Sequence, residues 1–259
     1  MRAFDGSEGG STSPDYPQHV VHLDAIVDHL RQSLGQDKII VMGHSWERRL
    51  ACYTRRPIQT RYLLSSASTQ WFPRARDSRR NTISFWRRPH AARDNGALAH
   101  LRKIGPPPYK KLGQVLAMEK LVQRYGGVFH KEPRRTWIMV RAIFSDLVTP
   151  WEIARLIHAN HLSLEAMNEE LLGLRLAGSV PSASVPVLFF LGRYDRHTDG
   201  KLAATYFGTL CAPVKRLVWF EKSAHNVPFE EPRLFNATVA RELQSIGVQL
   251  AVSGGVQRK

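Results

Sequence analysis

Cysteine is scarce in this 259-residue chain, with only Cys52 and Cys211. Two thiols so far apart build no disulfide framework and suit a reducing compartment such as the cytoplasm. No run of about 18 apolar residues occurs, so no membrane-spanning helix is expected. The opening Met1-Arg2-Ala3-Phe4-Asp5-Gly6 lacks the apolar core of a secretory leader. Acids are also few, 22 against 37 lysines and arginines, which leaves a net charge of +15. That surplus would attract polyanions non-specifically. No RNP sequence, zinc finger or basic zipper accompanies it, so no specific nucleic-acid partner is expected.

The positive charge is concentrated. Between Glu47 and Arg93 stand twelve arginines and two acids, Glu47 and Asp77, which accounts for ten of the fifteen net charges. Three expectations fit this cluster: a basic patch, a solvated face, or a frame slip after Trp46 restored before Ala97. The last is preferred, because GC-rich DNA read out of frame yields many arginines. What the chain has in quantity is apolar residues, 43% of the total, enough for a sizeable core and unlike a disordered chain.

Periodicity places the elements. From His19 to Gly35 the apolar residues Val20, Leu23, Ile26, Val27, Leu30 and Leu34 fall three and four apart, the stripe of an amphipathic helix ended by glycine. The run Ile39–Met42 predicts a parallel strand buried on both faces. A helix could follow at 50–57, and Tyr62-Leu63-Leu64 predicts a second strand. Residues from about 69 to 178 turn helical and irregular, with helices over 151–164 and 164–176. The pattern over 185–192 is the strongest strand; then come a helix near 200–210, a strand over 215–220, a helix over 232–246 and a fraying tail from 251. Strands alternating with helices imply a parallel sheet.

Three polar residues fall at three strand ends in the order Ser45, Asp195, His225. Ligands of such sheets bind beyond the carboxyl ends of the strands. A serine hydroxyl needs a base to take its proton, histidine does so near neutral pH, and a carboxylate fixes the imidazole tautomer.

These residues carry a resemblance. Gly43-His44-Ser45-Trp46, Gly192-Arg193-Tyr194-Asp195 and the segment Trp219–Pro232 resemble the α/β-hydrolase fold family, in its proline-iminopeptidase-like branch. Segments 104–109 and 125–127 resemble cap segments of that branch, and 5–12 faintly resembles its D-Q-R-G-x-G-x-S loop. The resemblance implies an α/β fold, a partial parallel sheet lacking its first strands, with a helical cap insertion. The domains would be a first core part over 1–68 with the nucleophile elbow, a cap over 69–180, and a second core part over 181–259. Ser45 would be the nucleophile, Asp195 the acid, His225 the base and the Trp46 amide an oxyanion donor. Asp199 would be the fallback acid, and Glu221 and Glu230 structural.

Two departures temper activity. Glu47 stands where the elbow needs a small residue, and the glycine-rich loop that supplies the second oxyanion donor would precede the first residue. The expected function is a serine hydrolase acting on an amide or ester of a small substrate, such as a peptide with an N-terminal proline or apolar residue. It would need no cofactor, no metal and no membrane. The alternative is an impaired or inactive remnant of the fold. His19 and His22, or His158 and His161, share helix faces without the further ligands a metal needs. Glu165, Glu169 and Glu170 could hold a substrate amine but fit a solvated face better. Trp137, Phe144, Trp151 and Tyr125 could line an apolar pocket under the cap but fit core packing better.

Overall fold

A computed structural model describes residues 16–45, 62–66, 94–106, 109, 111–131, 140, 149, 151–155, 158–159, 162 and 180–256. The expected helices over 50–57 and 164–176, together with Trp46, Glu47, Cys52, Trp137, Phe144 and the glutamates at 165, 169 and 170, lie outside them. So does the arginine-rich stretch, apart from one strand. The chain divides into two compact units. One comprises Met1–His22, Phe72–Tyr125 and Lys131–Leu174; the other comprises Leu23–Trp71, Gly126–His130 and Arg175–Lys259.

The second unit holds a parallel sheet. Its strands are β1 (Ile40–His44), β2 (Tyr62–Ser66), β3 (Val187–Gly192) and β4 (Lys215–Phe220), in that spatial order. The register pairs His44 with Ser66, Ser66 with Phe190 and Gly192 with Phe220, so the carboxyl ends of the strands lie at one edge. Strand β3 forms the floor of the core, with all six residues buried. Leu188, Phe190 and Leu191 pack with Phe220, Val227, Phe235 and Ile246, while Val187 and Phe189 pack with Tyr206 and Leu210. A strand with large apolar side chains on both faces has no stable place except inside a sheet covered on both sides.

The helices of this unit have legible boundaries. Helix α4 (Gly200–Thr209) starts at Asp199, whose side chain accepts from the amides of Lys201 and Leu202. Such a cap supplies an acceptor to amides that have no partner within the helix. Asp199 is therefore a helix cap, and it is Asp195 whose carboxylate lies against His225. After the short α5 (Val227–Glu230), helix α6 runs from Pro232 to Val256, ten residues past the expected end, and takes in residues 251–256 of the stretch expected to fray.

Helix α1 (Tyr16–Leu34) is followed by Gly35 at φ +59°, as the glycine stop implied. Its expected buried stripe is only partly buried. Val27 is buried, but Ile26, Leu30 and Leu34 are exposed. Strand β1 likewise departs from burial on both faces. It pairs with β2 alone among the described strands, and Ile40 and Met42 are 45% and 53% exposed.

In the first unit, α2 (Asn95–Ile104) and α3 (Leu112–Arg124) enclose a small core of Ala97, Ile104, Tyr109, Val115 and Leu121. Asp94 caps α2 through the Ala97 amide, and its other oxygen accepts from the Tyr125 hydroxyl at 2.5 Å and pairs with Arg124 at 3.2 Å. Tyr125 thus serves a cap, with its ring against this small core. Trp151 is 72% exposed, which corrects its expected place in the core. Residues 151–155 are helical, and Thr149 and Glu152 exchange the reciprocal bonds of a capping box at 2.7 and 3.2 Å.

Candidate active site

Ser45 follows the last residue of β1 with φ +59°. Among the described non-glycine residues it alone has a positive φ. A serine pays steric strain there, and such strain persists where the surrounding structure over-determines it. The turn lifts the hydroxyl off the strand end and aims it at His225, whose Nε2 lies 3.2 Å from Ser45 Oγ.

His225 sits five residues after β4 on a loop held from several sides. The Ala224 amide donates to Glu230 Oε1 at 2.7 Å, and the His225 amide to the Val128 carbonyl at 3.1 Å. Asn226 Nδ2 donates to the same carbonyl at 3.0 Å. The loop passes so close to the end of β3 that a Cβ on Gly192 would lie 1.8 Å from the Ala224 carbonyl oxygen. Gly192 therefore has no alternative.

Asp195, three residues beyond β3, is buried, with 4% of its surface exposed. Its Oδ1 accepts from the Thr198 amide at 2.9 Å, and its Oδ2 from the Thr198 hydroxyl at 2.7 Å. Oδ2 also lies 3.2 Å from His225 Nδ1. Burial pushes the carboxyl up, but His225 and the two Thr198 bonds outweigh it and hold the group below its ordinary range. An ionised carboxylate only accepts, so the proton of this contact resides on His225 Nδ1. Nε2 is then the ring nitrogen that accepts from Ser45 Oγ, the order of donors that a serine nucleophile requires.

Two further histidines flank His225. The His44 ring lies edge-on to His225 at 5.1 Å, and its Nε2 donates to the His225 carbonyl at 3.2 Å. The His197 ring lies edge-on at 4.4 Å. Removal from water pushes the His197 imidazole down to about 3; His225 and His44 add to the shift and Asp195 opposes it. His197 is thus a neutral neighbour of His225 at neutral pH.

The structure brings together Ser45, Asp195 and His225, while Trp46 lies outside the described residues. Glu221 is an exposed partner of Arg193 at 2.5 Å, away from the triad contacts. Sequence reasoning missed Thr198, His44 and His197. The D-R-H-T spacing was a usable signal for Thr198, because an aspartate commonly accepts the amide and hydroxyl of a residue a few positions on. Among the described residues no group of three or more His, Cys, Asp or Glu is placed to hold a metal, and no helix is long and apolar enough to cross a membrane.

A parallel sheet that delivers a strained serine, a carboxylate and a histidine from beyond the carboxyl ends of β1, β3 and β4 has the α/β-hydrolase fold. The crystal structure of proline iminopeptidase from Mycobacterium smegmatis aligns with a TM-score of 0.58 and 20% identity, over 91% of this chain and 73% of that one. A haloalkane dehalogenase loop variant, DbeA-M1 from Bradyrhizobium elkanii, aligns at 0.55 and 17% identity, over 95% and 79%. In sequence the chain is 26% identical over 243 residues to the probable aminopeptidase YbaC of Bacillus subtilis (strain 168), covering 87% of this chain and 75% of that protein. No family model matches the chain.

Proposed function

We propose that this chain is a serine hydrolase that cleaves an amide or ester of a small substrate through an acyl-enzyme on Ser45. The supporting observation is the pair of 3.2 Å contacts from His225, one to Ser45 Oγ and one to Asp195 Oδ2. In the first step Ser45 attacks the substrate carbonyl as its proton passes to His225 Nε2. His225 then protonates the leaving amine or alcohol, and the acyl group stays on Ser45 Oγ. Water, deprotonated by the same imidazole, attacks the acyl carbon; the bond to Ser45 Oγ breaks, His225 returns the proton to that oxygen, and the carboxylic acid leaves. Asp195 steadies the imidazolium in both halves, and the Trp46 amide binds the oxyanion. Every proton and acyl transfer is met by these side chains and water, so the cycle needs no cofactor.

The substrate class we propose is a peptide with an N-terminal proline or another apolar residue. The likeness to an aminopeptidase over 87% of the chain supports it, as does the proline iminopeptidase among proteins of the same fold. A cytoplasmic location fits the two cysteines. A second reading, a hydrolase fold that no longer turns over, is favoured by Glu47 at a position where strand and helix of the elbow need a small residue.

The test is the intact mass of the protein before and after a fluorophosphonate probe, with Ser45→Ala as control. One adduct on the wild type and none on the variant is expected, followed by release of label from prolyl and other aminoacyl arylamides. A folded wild type that takes no adduct would establish the second reading.

A further inference from the structure

We propose that Glu230 is a positioning residue for the base, tying His225 to the segment that also carries the acid loop; this rests on the serine-hydrolase reading above. The Glu230 side chain is 2% exposed. Removing a carboxyl group from water is costly unless hydrogen bonds replace those it loses. Here each oxygen has one: Oε1 accepts the Ala224 amide at 2.7 Å, and Oε2 accepts the His130 amide at 2.6 Å. The first amide is the peptide neighbour of His225. The second belongs to His130 of the segment Gly126–His130, 100 residues from Glu230 in sequence.

That short segment bonds both halves of the relay. The Gly127 carbonyl accepts the amides of Arg196 and His197 at 3.0 and 3.3 Å, directly after the acid. The Val128 carbonyl accepts the His225 amide at 3.1 Å and Asn226 Nδ2 at 3.0 Å. Glu230 closes this ring of bonds by holding one amide from the His225 loop and one from that segment. Its neighbour Glu231 has a more local task, holding the Lys222 amide and the Ser223 hydroxyl at 3.1 and 2.6 Å within the same turn. Both His225 contacts are already at 3.2 Å. Bonds that long weaken quickly when one loop shifts, and misplacing a catalytic group by about 1 Å can cost on the order of 100-fold in rate.

The experiment compares the full-length wild type with Glu230→Gln and Glu231→Gln. Glutamine keeps the size but turns an N–H₂ toward one of the two amides, so one bond is replaced by a clash of donors. Two readouts are taken: the saturation kinetics of fluorophosphonate labelling, and the proton resonance between His225 Nδ1 and Asp195 in ¹⁵N-histidine-labelled protein. Glu230→Gln is expected to lower the limiting labelling rate about 10- to 100-fold with an unchanged half-saturating concentration, and to erase or shift the resonance. Glu231→Gln should leave both readouts near wild type. A folded Glu230→Gln that melts at lower temperature yet keeps rate and resonance would overturn the proposal. Should Glu230→Gln fail to fold, the milder Glu230→Asp is measured instead; wild-type exchange of the Ala224 and His130 amides as fast as open loops would also overturn it. A wild type that shows the resonance but takes no probe, with the resonance lost in Glu230→Gln, would sink the hydrolase reading and leave the positioning role intact.

Discussion

The chemistry of His197 is altered by its place. Its imidazole titrates near 3 in the folded chain and near 6.5 when free, because folding takes it out of water beside His225. Between those values the unfolded chain holds a proton that the folded chain refuses. Stability conferred by the neutral ring is therefore complete above about 6.5 and is lost as pH falls toward 3, at up to about 1.4 kcal/mol per pH unit. Part of the His197 surface still meets solvent, so the measured slope will be shallower. His197→Phe keeps an aromatic edge against His225 and removes the proton. Urea midpoints measured from pH 7 to pH 4 should fall less steeply for the variant than for the wild type. Parallel curves would show that His197 titrates normally. Asp195 acts in the same direction but in a lower window, since its depressed carboxyl loses its stabilising effect only below the ordinary aspartate range.

At the scale of elements, the tightest tolerance is where the end of β3 meets the loop after β4. A methyl group on Gly192 would meet backbone atoms of Ser223 and Ala224, and backbone cannot rotate away as a side chain can. Gly192→Ala should cost at least about 3 kcal/mol, or abolish soluble expression, because the overlap exceeds what repacking absorbs. A variant within about 1 kcal/mol of wild type in urea unfolding would show that the loop can move aside. The sequence made β3, α4 and β4 legible because each is bounded by strong local chemistry: a glycine, a capping aspartate, an apolar run of strand length. It also made the three polar strand ends legible. Helix α1 was placed correctly, but its burial was not, since an apolar stripe states what could be covered and not what covers it. Helix α6 outran its expected end because Gly247 alone does not stop a helix that has packing upstream. The bonds of Glu230, Gly127 and Val128 were invisible, since they depend on which loops meet in space.

For the molecule as a whole, the described sheet presents an apolar outer edge. Ile40 and Met42 on β1 are about half exposed, and the strand pairs on one side only among the described strands. Such an edge invites pairing with another chain unless a charge interrupts it. Met42→Lys should reduce light scattering by concentrated protein while leaving the melting temperature within about 1–2 °C, as a solvent-facing change costs little. Unchanged scattering would mean that the edge is not what associates.

The sheet register has a consequence for how the molecule reports on itself. Ser45 owes its 3.2 Å contact to the alignment of β1 on β2, with His44 opposite Ser66. A slip of a single position would carry the hydroxyl about 3.3 Å along the sheet and invert the face from which it projects. On the proposed serine-hydrolase reading, labelling of that one oxygen by a fluorophosphonate would work as a chemical vernier, reading out the alignment of β1 on β2 in a single mass measurement.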